Sequence, residues 1–415
     1  MTKQHYYFLI LVLGAMTALA PFSIDMYLPG FPGIAKSFGI DIAHVSLSLS
    51  SFFIGISLGQ ILYGPLIDRF GRKPPLYGGL VLYLLASLGC SLSPSIGMLI
   101  VLRFFQALGS CSAGVVSLAM VRDLFPVKDN AKVISLLLLV LGASPLVAPS
   151  AGGLIAASLG WRAIFLVLLL IASILLIVVI FFLRESHKPD KTVSLKPRPI
   201  IQRFWHVLRV PQFYTYAIGG GIAYSGLFTY VSDSPSIYLV GYGISHKTYG
   251  WLFAALSIGF FGVSQSNRLF SKYWKPEKIV FGCVTCMLLA SLFFIFGLEQ
   301  GWFGIVGVSI MIFVLLSCLG TANPVAAALS MAPFEEEAGT AASLFGLIRW
   351  GVAGLSSIVV SIFKSSTPFP LAWIMAGTAA LSLIVLALGG RASRNSLKRN
   401  TPLRLVDCEI PAGSE

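Results

Sequence analysis

Charge is scarce in this chain of 415 residues. Asp, Glu, Lys and Arg make up 11% of it, against about 25% in an ordinary soluble domain. Acid is scarcer still, with 16 Asp and Glu beside 29 Lys and Arg, for a net charge of +13. No Walker A glycine–lysine loop occurs, and no polar region is large enough for a nucleotide-binding domain, which argues against an ATP-driven pump within this chain. No nucleophile triad or zinc-binding helix is recognisable, so no enzyme, cofactor or metal centre is expected. No histidine falls in the middle of an apolar run, which leaves a histidine proton relay without support. The six cysteines give no disulfide framework. Cys90, Cys111, Cys283, Cys286 and Cys318 fall in apolar segments and Cys408 near the end. Cys283 and Cys286 have redox or metal spacing, but they lie inside an apolar run with no second pair, so packing is the plain reading.

Apolar residues are abundant: 56% of the chain, with a mean hydropathy of +0.87. Runs of ~20 apolar residues, each able to cross a bilayer core of roughly 30 Å, recur near 7–28, 44–66, 76–93, 97–121, 132–157, 162–183, 212–238, 249–267, 279–298, 302–325, 338–362 and 370–389. The pattern predicts an all-α membrane protein with twelve transmembrane helices. Ala18-Leu19-Ala20 resembles a signal-peptide cleavage site. Pro21 follows it and the preceding end is weakly charged, so a retained first helix is expected.

The basic excess follows this topology. Most Lys and Arg fall in the predicted inner loops and tails, whereas the outer loops hold only Lys36, Arg162, Lys247 and Lys364. That asymmetry predicts cytoplasmic termini and removes the need for a nucleic-acid partner. The polar stretch 185–211 carries prolines, basic residues and a candidate short surface helix near 200–208. It divides the chain into an N-terminal half (1–184) and a C-terminal half (212–390), followed by a basic cytoplasmic tail (391–415). Six spans on each side of a long connector suggest two similar six-helix bundles around a central cavity.

Four charges fall inside spans: Asp25, Arg103, Asp233 and Arg349. An Asp at mid-helix costs roughly 2.5–3.5 kcal/mol on the insertion scale, so each such group is a functional candidate. Asp25 lies in APFSIDMYLP. At ~1.5 Å per residue it reaches a depth comparable to Arg103 on an oppositely running helix, within range of an interaction; Arg103 could instead reach for the outer interface. Arg349 should face protein or water, as structural support or a substrate contact. Asp233 reads as a second proton site, a cation contact or a helix-end charge. Tyr224, Phe228 and Tyr230 are candidate cavity aromatics, with helix packing as the alternative.

Three runs carry a family resemblance. Gly64-Pro65-Leu66-Ile67-Asp68-Arg69-Phe70-Gly71-Arg72-Lys73 resembles the loop between helices two and three of the major facilitator superfamily. Leu102-Arg103-Phe104-Phe105-Gln106-Ala107-Leu108-Gly109 is similar to its helix-four pattern. Leu141 to Gly153, with Gly142, Pro145, Pro149, Gly152 and Gly153, resembles the glycine–proline motif of its antiporter branch; Ala148 replaces a glycine usual there. PFSIDMYLPGFPGIAKSFG and AGTAASLFGLIRWGVAG are similar to bicyclomycin-resistance (Bcr/CflA-type) drug:proton antiporters. The resemblance implies a monomeric exporter in a bacterial inner membrane, with protons, a small amphipathic drug and membrane lipids as partners. It implies Asp25 as the proton site and Arg103 as its modulator. It also implies a latch of Gly64, Asp68, Arg69, Gly71, Arg72 and Arg122, in which Asp68 meets Arg122 and the start of helix eleven, where Glu335, Glu336 and Glu337 also lie. A proton-linked transporter of a metabolite, such as an amino acid or siderophore-like solute, is the alternative. A sensor or scaffold is disfavoured by paired bundles with buried charges.

Overall fold

The computed structural model describes residues 3–334, 337–363 and 366–400. All regular structure among them is helical. In an apolar solvent each backbone N–H and C=O must find a partner within the chain, and a helix supplies one locally. The long helices are α1 (Lys3–Asp25), α3 (Ile42–Phe70), α4 (Lys73–Leu92), α5 (Ile96–Leu124), α6 (Val127–Leu159), α7 (Trp161–Phe182), α9 (Pro211–Pro235), α10 (His246–Ser264), α12 (Pro276–Glu299), α13 (Ile305–Met331), α14 (Ala338–Ile362) and α15 (Phe369–Asn400). Three short helices complete the series: α2 (Phe31–Phe38), α8 (Pro197–Leu208) and α11 (Asn267–Tyr273).

Among the described residues, ten segments are long and apolar enough to cross a membrane. Helices α9 and α10, with 25 and 19 residues, have span length but are not among the ten. Their Gly, Ser, Thr and Tyr content lowers their apolarity, and those small and hydroxyl-bearing faces are packed inside the protein rather than turned outward. The closely spaced third and fourth runs separate cleanly: α4 ends at Leu92, and the Ser95 side chain caps α5 by accepting from the Met98 N–H at 3.3 Å. Helix α15 continues to Asn400, beyond the expected end of the last apolar run.

Helices α1 and α3–α7 pack among themselves, as do α9, α10 and α12–α15. The two sets meet along α3 against α14 and along α6 against α10. The first seam is built from small and hydroxyl side chains. The Ser50 hydroxyl donates to Ser357 at 2.7 Å and Ser57 donates to the Leu347 carbonyl at 2.8 Å, while Ser232 of α9 holds Ser357 from within its own set at 2.8 Å. On α14, Gly346 lies against Gln60 and Gly354 against Ile54, with no room for a Cβ. Helix α8 lies over the end of this seam, packing on α9 and α14 through buried Val207 and through Phe204 and Leu208.

Candidate functional site: buried charges where the helix sets meet

Asp25 is the last residue of α1. The chain then leaves the helix, makes a single 3-10 turn at Leu28–Gly30 and enters α2. Pro29 in that turn lacks an N–H and fits a first helical position. The carboxyl is therefore buried at the C-terminal end of a helix, where the macrodipole gives an anion no help. Its hydrogen-bond donor is the Ser144 hydroxyl of α6, at 3.2 Å. The glycine–proline helix also holds the backbone beside it. Gly152 abuts the Met26 carbonyl and Gly153 the His246 carbonyl of α10, and no Cβ would fit at Gly152. Pro145 and Pro149 lie inside α6 between these contacts, and Gly142 faces the Phe261 ring. The antiporter-like run thus lies where α1, α6 and α10 come together, with Asp25 beside it.

Arg103 is fully buried. It does not form an ion pair with Asp25. One guanidinium nitrogen donates to the Ser23 carbonyl at 3.1 Å and to Gln106 at 2.7 Å, and Gln106 donates on to Ser87 at 2.8 Å. The cation lies over the rings of Tyr27 and Phe52, at 4.4 and 4.1 Å from their centroids. Tyr27 is in turn fixed by a 2.7 Å hydrogen bond with Ser48. Arg103 therefore acts on the Asp25 segment through the backbone two residues earlier and the ring two residues later. Reaching for the outer interface does not describe it. Its Nε and Nη2 have no hydrogen-bond partner among the described residues.

A second cluster spans the seam. Arg349 of α14 donates to the Tyr224 hydroxyl at 2.6 Å and lies 4.0 Å over that ring. Tyr224 meets Phe228 edge-on at 5.3 Å, and Phe228 packs against Phe53 of α3 at 4.5 Å and Trp350 at 4.9 Å. Tyr224, Phe228 and Arg349 are thus brought together. Tyr230 points elsewhere, stacking on Phe253 of α10 at 5.5 Å. Asp233 is buried, and its Oδ2 has no hydrogen-bond partner among the described residues. Seven residues along α9 it shares a helix face with Gly226, which lies against Met287, Met375 and Leu319 within the second helix set. That face differs from the one carrying Tyr224 and Phe228.

At the basic end of the protein, the run Gly64–Lys73 closes the turn between α3 and α4. Gly71 has φ of 86°, a left-handed conformation that costs glycine little. Gly64 faces Ser343 of α14, close to its start. Arg72 donates to Asp68 at 2.7 Å and to Asp123 at 2.8 Å. Burial disfavours its charge, but the hydrogen bonds to Asp123 and Asp68 outweigh that and hold the guanidinium above its usual range. Asp68 therefore pairs with Arg72 rather than Arg122, which is exposed and forms no ion pair among the described residues. Glu335 and Glu336 lie outside the described residues. The connector docks on the same loop. Glu185 accepts from the Arg72 and Lys73 backbone N–H groups at 2.8 and 2.9 Å, Asp190 donates its N–H to the Asp68 carbonyl, and Arg69 donates to the Val193 carbonyl at 2.7 Å.

Sequence reasoning missed Ser144, Gln106, Asp123, Glu185, Phe53 and Trp350. Gln106 had a signal, since it stands one helical turn from Arg103. Asp123 had a weaker one, as an acid at the same inner loop edge as Asp68. Ser144 lies inside the glycine–proline run and Trp350 beside Arg349, so each had one, whereas Glu185 and Phe53 come from elements distant in sequence and had none.

These features define a class: an all-helical membrane-spanning protein whose two helix sets meet around buried charges. The chain belongs to the Major Facilitator Superfamily, whose sequence profile matches residues 13–358. It is 31% identical over 399 residues to a bicyclomycin resistance protein homolog of Haemophilus influenzae, covering 96% of this chain and 99% of that one. It is 27% identical to a chloramphenicol resistance protein of Pseudomonas aeruginosa, covering 91% and 89%. Among solved structures, a bacterial homolog of the human lysosomal transporter Spinster, inward-facing and occupied, matches with a TM-score of 0.73 at 14% identity, covering 96% and 99%. A D-xylose–proton symporter matches with a TM-score of 0.69 at 16% identity, covering 92% and 97%. At those identities the structural likeness concerns the fold.

Proposed function

We propose that this protein is a proton-coupled antiporter that exports small amphipathic drugs by alternating access. In this reading twelve spans, α9 and α10 included, form two six-helix bundles in a bacterial inner membrane, with both termini in the cytoplasm. Asp25 carries the proton. The observation that supports this most is its placement: a buried carboxyl without an ion pair among the described residues, at the broken end of α1, held by Ser144 beside the α6–α10 seam. Negative charge is costly there, and a proton arriving from outside removes the cost. Loss of the proton to the inside restores it. A substrate that favours the deprotonated form must itself be weakened by protonation, because coupling is reciprocal. Exchange then needs no contact between Asp25 and the drug. Arg103 positions the Asp25 segment, and the aromatic–cation cluster of Tyr224, Phe228 and Arg349 lines the drug path. Asp233 would act behind that path rather than in it, and Tyr230, which interacts electrostatically with Asp25, would act beside the proton site.

The driving force suffices. One charge crossing 100 mV releases ~2.3 kcal/mol. At ~1.4 kcal/mol per tenfold ratio this supports a gradient of more than ~30-fold before any pH difference is added. The test uses purified protein in liposomes under an imposed pH gradient. Wild type should exchange drug for protons, and Asp25→Asn should stay folded yet fail to export uphill. Full drug-driven proton exchange by Asp25→Asn would sink the assignment.

A further inference from the structure

An apolar groove of about 400 Å³ runs along the basic end of the first seam. Ile61, Leu62 and Leu66 of α3 form one wall, and Leu195, Ile200 and Ile201 of the connector and α8 form the other. Its volume is in the range of pockets that hold a single small ligand. Leu62 is 45% exposed and Ile201 63% exposed, so the groove is open along its length rather than sealed by protein. Along the second wall, from Leu195 through α8, the charge has one sign, while Asp68 lies two residues beyond Leu66 on the first. Between Asp190 and Asp233 the chain holds Lys191, Lys196, Arg198, Arg203 and Arg209 and no acidic residue. Lys196, Arg198 and Arg203 are exposed on the segment that forms the second wall. Helix α8 is thus amphipathic, with Phe204 and Val207 packed inward, Ile201 and Trp205 uncovered, and Arg198 and Arg203 on the two flanks of its groove-lining residues. That pattern suits a helix lying in the membrane interface plane.

We propose that this groove binds one anionic phospholipid of the inner leaflet, with an acyl chain between α3 and α8 and the headgroup against Lys196, Arg198 and Arg203. Charge complementarity sets the occupant, because a zwitterionic lipid would fill the apolar wall equally well but leave the cations unanswered. The site has a built-in consequence. Helix α3 belongs to the first helix set, while α8 is anchored to α9 and α14 of the second. A lipid chain between them touches both sets, and its departure accompanies their separation at this end. The choice of inner leaflet rests on the membrane orientation proposed above.

The full chain is purified in detergent, offered equal phosphatidylglycerol and phosphatidylcholine, and weighed by native mass spectrometry with its retained lipid. Wild type should prefer phosphatidylglycerol by roughly tenfold or more. The preference should vanish in Lys196→Gln/Arg198→Gln/Arg203→Gln, which removes the cations, and in Leu62→Trp, which fills the groove with the cations intact. Circular dichroism and gel filtration confirm that both variants fold. Equal retention of the two lipids by wild type, or a preference that survives either variant, overturns the proposal. So does binding that appears only after residues 401–415 are deleted, which gives the groove to that segment, or a dimer mass that Leu62→Trp abolishes, which gives it to a second copy. Drug–proton exchange in all-phosphatidylcholine liposomes is measured separately. Retained lipid does not depend on orientation or transport, so failure of this site and failure of the transport reading are distinguishable.

Discussion

Arg103 is among the largest side chains that the fold encloses completely. One of its nitrogens serves the Ser23 carbonyl and Gln106 while its faces lie against Tyr27 and Phe52. A lysine keeps the charge but loses the flat guanidinium face and much of the ring contact. Arg103→Lys should therefore lower thermal stability and slow drug-driven proton uptake. Arg103→Ala should cost more, about 2–3 kcal/mol, because buried polar partners are left unsatisfied. Denaturation in detergent checks the order. The two acids around Arg72 should also differ. The Asp68 side chain is 54% exposed and Asp123 only 17%. An exposed one-turn ion pair is worth about 0.3–0.5 kcal/mol, and a charged hydrogen bond made by a less exposed side chain is worth more. Asp123→Asn should thus lower the melting temperature more than Asp68→Asn, and equal losses would show that exposure does not set the balance. At this scale the sequence told which charges are buried, since Asp25 and Arg103 stand in apolar runs. It did not tell what they touch. Ser144 and the Ser23 carbonyl are supplied by other helices and a bent backbone, neither of which leaves a periodic trace.

Helix α6 shows how an element positions a residue it does not contain. Its glycines admit the Met26 and His246 carbonyls, and Ser144, on the same helix, reaches Asp25. Gly152→Ala would drive a methyl group into the Met26 carbonyl, and backbone cannot yield as a side-chain tip can. We expect this variant to retain its helix content and lose most transport, because the Asp25 segment moves away from Ser144. Gly160→Ala, where nothing lies within 4 Å of the added methyl, is strained only by its φ of 81° and should affect stability more than transport. Helix α4 offers a second test. Its first turn is capped from outside by Glu185, an anion at a helix N-terminus. Glu185→Ala should cost about 1 kcal/mol, the usual value of a lost cap, and loosen the connector, read as faster amide exchange over residues 185–193. The glycine–proline run was legible as a packing motif. The capping was not, because Glu185 lies more than a hundred residues from the turn it holds.

At the scale of the whole molecule, the two helix sets are joined along α3–α14 and α6–α10. If transport requires them to part, a covalent tie across the first seam must stop it. The Ser50 and Ser357 hydroxyls lie 2.7 Å apart. Ser50→Cys/Ser357→Cys should crosslink on oxidation, block drug–proton exchange, and recover it on reduction. Exchange at the full rate while crosslinked would mean that this seam stays shut throughout the cycle. The order of the helices was readable from apolar runs and the central basic connector. Helices form at the seventh and eighth runs, as α9 and α10, although their hydropathy is weak and they are not among the ten segments apolar enough to cross a membrane. The register of the seam was not readable, since it pairs residues some three hundred apart through contacts of small side chains that could fit several offsets.

A boundary made of serine hydroxyls and bare glycine backbone behaves unlike one made of interlocking leucines. When that stretch opens, water takes over each broken hydrogen bond at little net loss, and the oily area wetted is concentrated at the rings of Phe53, Phe228 and Trp350. Such a joint costs less to part than a greasy one of the same length.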